Sequence, residues 1–168
     1  MAETIKRIEG NALTRAQISE EERATAVNFT STEALVSANI DSTATVGAGS
    51  QLGYDINIGE GSSVGELSKI QDSARIGRYS IVGDQAEMGH NSKMGDHSEL
   101  EKVSVMGNFS EMGDRSVIGR GSEIGFRAKV GDRAEIGAGA TVTSSALVDN
   151  GESIPNKGVR IAEFQTLV

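Results

Sequence analysis

The chain has no cysteine and no tryptophan, a single proline, and only 4% aromatic residues. Without cysteine there is no disulfide and no thiol nucleophile, which fits a cytoplasmic protein. The scarcity of aromatics removes the usual bulk of a globular core. One proline beside a steady supply of aliphatic residues argues against disorder. No apolar run is long enough for a signal peptide or a membrane span, the opening "MAETIKRIEG" included. Bases are also few. Lys plus Arg is 16 against 24 for Asp plus Glu, a net charge of −8. That balance argues against nucleic-acid and anionic-membrane partners. An acidic surface that imitates DNA is a minor alternative. Within 46–153, however, the charged residues of both signs are well interleaved. A phosphate loop ending in Gly-Lys-Ser/Thr and a nucleophile elbow are both missing.

Glycine, by contrast, makes up 21 of 168 residues, and its placement is periodic. From Val46, every sixth residue through Ile154 is aliphatic or methionine, 19 positions without an insertion. The next residue is glycine in 14 of the 19, and the fifth place of the hexad is serine or alanine in 16 of 18. A period of six is neither the helix period of 3.6 nor plain alternation. It suits a short strand and a tight bend, repeated, with glycine taking bend dihedrals that a side chain would forbid. One hexad cannot bury its own apolar residue, so hexads must stack into a solenoid.

The stretch "IGRGSEIGFRAKVGDRAEIGAGATV" resembles the hexapeptide-repeat proteins, over about residues 40 to 158. The resemblance implies an all-β fold, a left-handed parallel β-helix with three hexads per triangular coil. At 18 residues per coil, residues 46–153 make six coils, with a partial coil before Val46. The domain reading is an N-terminal cap over 1–33, the β-helix over 34–158 and a C-terminal tail over 159–168. Ser19 and Glu22 have the form of a capping box, so a short helix is expected over 20–27, covering the open top of the solenoid. In the tail, Ile161, Phe164 and Leu167 are expected to fold over the last coil or pack on a neighbouring subunit.

The resemblance also implies two chemistries and an assembly. One chemistry is acyl transfer from coenzyme A or an acyl-CoA, with a histidine as general base and often a projecting loop. The other is zinc hydration chemistry of the γ-class carbonic anhydrase kind, which needs three histidines. The chain has two, His90 and His97, so no metal site is expected and these two are the candidate bases. No insertion supplies a projecting loop. A homotrimer is the implied assembly, and outward apolar residues Ile81, Val105, Phe109, Val117 and Phe126 are its candidate interface.

With an 18-residue coil, "GRYS", "GDHS", "GDRS" and "GDRA" stack. This aligns Asp96, Asp114 and Asp132 beside His97, Arg115 and Arg133. The column is a candidate ligand or ion ladder, or a solvated set of cross-coil ion pairs. Met88 with Met106, and Met94 with Met112, should stack in the core as adaptable filler. The residues favour a non-catalytic scaffold or protein-interaction module that self-associates and needs no cofactor. The alternative is a trimeric acyltransferase using coenzyme A.

Overall fold

The computed structural model describes residues 37–157, with the strand backbones at 28–29 and 160–161. The helix expected over 20–27 and the side chains of Phe164 and Leu167 lie outside the described residues. Among the described residues, twenty-two two-residue strands sort into three parallel sheets. We call these faces A, B and C. Face A runs from Asn28–Phe29 through Gln51–Leu52, Lys69–Ile70, Glu87–Met88, Val105–Met106, Glu123–Ile124 and Thr141–Val142 to Arg160–Ile161. Face B runs from Asn39–Ile40 to Leu147–Val148 and face C from Thr45–Val46 to Ser153–Ile154. Between the faces lie three edges, AB, BC and CA, named in chain order.

The register is the sequence period made visible. Lys93 pairs with Arg75 and Glu111, and Met94 with Ile76 and Met112, each 18 residues apart. Met88 pairs with Met106 likewise. From Val46 to Ile154 the second residue of every strand points inward and is buried. Two strands lie beyond the strict repeat. Asn28 pairs with Gln51 and Thr141 with Arg160, so face A continues past both ends of the hexad series with a shifted spacing.

The bends work differently from the expectation. The glycine after each apolar residue does not take left-handed dihedrals. That conformation falls two residues later, at 19 positions from Gly49 to Lys157, and 14 of these are not glycine. The repeat glycine is required by crowding instead. A Cβ on Gly77 would lie 2.5 Å from the carbonyl carbon of Gly95 and 2.7 Å from the amide of Asp96, both backbone. The small fifth residue is buried as well, and where it is serine it adds a polar contact. Ser62, Ser80, Ser98 and Ser116 are buried, and their hydroxyls donate to Gly77, Gly95, Gly113 and Gly131 carbonyls at 2.6–2.7 Å in the next coil. On edge BC, which these four occupy, the buried hydroxyl is satisfied, because its partner is built into the fold; Ser92, at the same place on edge AB, has no such partner among the described residues.

Left-handed dihedrals strain most side chains, β-branched ones above all. Val103 holds φ 61° with its side chain half exposed. Val103→Asn is therefore expected to raise unfolding stability by about 1 kcal/mol, since asparagine tolerates this region. A urea midpoint unchanged or lowered would contradict the reading.

Candidate functional site

The three edges carry the outward chemistry, because each bend shows two residues to solvent. The first of these has an amide N–H that the strand ladders leave without a carbonyl. Where the next coil carries aspartate or asparagine at the same place, its side chain takes that N–H. On edge BC, Arg78 N–H donates to Asp96 Oδ1 at 2.7 Å, Asp96 N–H to Asp114 at 2.8 Å, Asp114 N–H to Asp132 at 2.9 Å and Asp132 N–H to Asn150 at 2.9 Å. The same bond joins Tyr54 to Asp72, Glu66 to Asp84, His90 to Asn108 and Ala138 to Asn156 on the other edges. The aspartate column is thus a spine that ties each coil to the next.

The structure brings the sequence-predicted ladder together in one groove on edge BC. Asp96, His97, Asp114, Arg115, Asp132 and Arg133 line it with Asn150 and Gly151, around a volume of about 410 Å³. The charges are balanced differently from the expectation. Arg78, not Arg115 or Arg133, pairs with a column carboxylate, through Nε and a second guanidinium nitrogen to Asp96 Oδ2 at 3.2 and 3.0 Å. Among the described residues no ion pair takes up Arg115 or Arg133. Backbone N–H groups, and not these arginines, meet the carboxylates of the column. The signal was legible as Asp or Asn recurring at 18-residue spacing in the bend.

Electrostatics follow the same contacts. The Arg78 amide, then its guanidinium, holds the Asp96 carboxyl below the ordinary carboxylate range. The Lys102 ammonium lowers Asp84, and that of Lys129 lowers Glu111. Arg78 is raised in turn by its hydrogen bond to Asp96, and the Tyr79 phenol is raised by donating to Glu60 at 2.7 Å. The three carboxylates have depressed folded pKa values. Their contribution is present above the unfolded carboxylate range and is lost as pH falls through the folded values. The groups are partly exposed and solvent screens them, so the expected loss is shallow. A melting temperature that stayed constant from pH 5 down to pH 2 would contradict it.

A sharper check uses the spine itself. Asp114→Asn keeps the acceptor for Asp96 N–H and is expected to leave stability nearly unchanged, as Asn108 and Asn150 do in their own places. Asp114→Ala removes it and is expected to cost about 1 kcal/mol in urea unfolding. Equal losses for the two variants would show that charge, not the amide bond, matters here.

The two candidate histidines stand on different edges. His97 lies in the BC groove, its ring 5.4 Å from that of Tyr79. His90 lies on edge AB with Nδ1 3.5 Å from Asp72 Oδ2, and it is about half exposed. Asp72 is thus the carboxylate beside that ring. No cluster of three metal-ligating side chains forms among the described residues. The interface candidates also separate. Ile81 and Val117 stand on face C, two coils apart. Val105 stands on face A. Phe109 and Phe126 meet edge to face on edge AB, ring centroids 5.8 Å apart, with the Arg127 guanidinium 4.8 Å from the Phe126 ring. Sequence reasoning missed Arg127, which occupies the bend position next to Phe126. It also missed Asp72 as the partner of His90.

No protein-family model matches the chain, and no curated protein matches it. Solved structures do. A hexapeptide transferase family protein from Anaplasma phagocytophilum superposes with a TM-score of 0.71 at 20% identity, covering 87% of this chain and 86% of that one. The acetyltransferase domain of PglB from Neisseria gonorrhoeae, solved with acetyl coenzyme A, gives 0.49 at 17% identity over 71% of this chain and 55% of that one. LpxA from Acinetobacter baumannii gives 0.42 at 17% identity over 70% and 62%. With its hexads, its three parallel faces and this superposition, the chain has the fold of the hexapeptide-repeat proteins, a left-handed parallel β-helix.

Proposed function

We propose that the chain is a self-associating β-solenoid, a homotrimeric scaffold or protein-interaction module. One observation carries this reading. All four aromatic side chains among the described residues stand outside the core: Tyr54 50%, Tyr79 50%, Phe109 47% and Phe126 43% exposed. Among the described residues the core holds aliphatics, methionine and small serines but no aromatic, so the aromatic faces are turned to the surface, where another molecule can meet them. Aromatics and arginine on a rigid surface are the composition of interface hot spots. Spine and ladders fix their positions, so little conformational entropy is lost on binding. Light scattering on the purified chain tests the reading. A stable oligomer is expected, and a monomer at all concentrations opposes it.

A second reading is favoured by the His90–Asp72 pair and by the fold shared with a hexapeptide transferase family protein. In it, His90 is the general base of a coenzyme A-dependent acyltransferase, with Asp72 orienting the ring. Coenzyme A or an acyl-CoA would then raise the melting temperature, and His90→Ala would abolish turnover without lowering stability. No shift across a panel of acyl donors counts against it.

A further inference from the structure

On edge BC the second bend residues are Gly61, Tyr79, His97, Arg115, Arg133 and Gly151, and all six take left-handed dihedrals, with φ between 54° and 70°. One backbone conformation, repeated at about 4.8 Å per coil, sends these side chains out in the same direction. The rings of Tyr79 and His97 show the result, with centroids 5.4 Å apart. Arg115 and Arg133 are the next two in the column. We propose that this pair holds a doubly charged oxyanion, a phosphate group, in the edge BC groove. The inference goes beyond self-association and does not depend on it.

Two guanidinium groups on neighbouring coils repel each other unless something neutralises them. Elsewhere the chain supplies the neutralising group. Lys69, Arg75, Arg78, Lys93, Lys102 and Lys129 each hold a carboxylate. Among the described residues, Arg115 and Arg133 are the one case of two cations on neighbouring coils of a column with no ion pair. The aspartates of the groove do not take that part. Asp96 is held by Arg78, and Asp114 and Asp132 each give an oxygen to a main-chain N–H of the preceding coil. A phosphate group set between the two guanidiniums removes the repulsion and accepts forked N–H bonds from both.

The groove has room for it. Its volume of about 410 Å³ also admits part of a molecule that carries the phosphate. Gly151 ends the column without a side chain, and nothing lies within 4 Å of where its Cβ would stand. Asn150 beside it gives Oδ1 to Asp132 N–H at 2.9 Å, which leaves its amide nitrogen as a third donor. Asp114 and Asp132 oppose an anion through charge alone, because asparagine can accept the same main-chain N–H. Asparagine at 132 is therefore expected to tighten binding, the reverse of what losing a ligand-holding side chain does.

Inorganic phosphate titrated into the full chain at low salt tests the site, read from the arginine Nε–H signals by NMR. Chloride at matched ionic strength is the control for screening. Phosphate is expected to move the Arg115 and Arg133 signals, and chloride is not. Arg133→Gln is expected to weaken binding by about fivefold, the modest worth of one exposed ion pair, and Asp132→Asn to strengthen it by a similar factor. Arg120→Gln, which removes a lone guanidinium on edge CA, is expected to change nothing. Circular dichroism checks that each variant is folded. Ribose 5-phosphate separates the sources of the group. Tighter binding than phosphate assigns an ester, and equal or weaker binding assigns the free ion. Equal shifts with chloride, equal losses in the Arg120 and Arg133 variants, or binding not strengthened in Asp132→Asn overturns the site. A monomer that binds phosphate as described keeps the site and overturns self-association alone.

Discussion

Replacing Leu100 with alanine will lower stability by about 3–4 kcal/mol, and the melting temperature by roughly 10 °C. Leu100 is fully buried and stacks between Val82 and Ile118 on face C. Those neighbours are β-branched and stiff about χ1, so they cannot swing into the vacated space. The backbone cannot close it either, because each coil is pinned to the next by ladder bonds such as Gly83 N–H to the Leu100 carbonyl at 2.7 Å. In a solenoid every coil leans only on its neighbours, so a cavity in the middle coil weakens both halves. Leu100→Ile, which keeps the volume, should cost under about 1.5 kcal/mol. Calorimetry that found the alanine variant as stable as the isoleucine one would mean that the column is not close-packed.

Gly77→Ala is the second large effect. The added methyl would meet the backbone of Gly95 and Asp96 at 2.5–2.7 Å, with no flexible side chain to yield. To make room, the coil must move away from the one beside it. That strains Gly77 N–H to Met94 carbonyl at 2.8 Å and Arg78 N–H to Asp96 at 2.7 Å. The expected cost is about 2–3 kcal/mol. Gly121 makes the contrast. It sits at the left-handed position with φ 66° and open space where a Cβ would stand, so Gly121→Asn is expected to cost well under 1 kcal/mol, about what asparagine gives up in that region. If the two variants melted alike, crowding would not be the reason for the repeat glycine. Some repeats do carry a side chain at that place. Glu101 is one, and its carboxylate accepts the Arg120 N–H at 2.7 Å, a compensation alanine cannot make.

The core was readable from the hexads because burial and period are the same fact here. Val46 through Ile154 point inward one strand at a time, and the methionine stacks followed from 18-residue spacing. The reason for glycine was not readable. A sequence shows that a side chain is excluded, but not whether dihedral or neighbour excludes it. Non-glycine residues such as Val103 and Phe109 in left-handed bends are also invisible to propensity, since the ladders on either side override it. The aspartate spine was visible as a column, yet its charge drew attention away from its role as amide acceptor. His90 and Asp72 are 18 residues apart, so their pairing followed from the coil once its register was fixed. Chemistry was less legible than fold for one physical cause. The repeat constrains the inward letters and the bend, and leaves the outward letters to whatever the surface meets.

If the outward aromatics serve contact with copies of the same chain, as proposed, sedimentation equilibrium of the unmodified chain over a wide concentration range will give a mass about three times that of the 17.6 kDa chain. A single 17.6 kDa species at every concentration would contradict it.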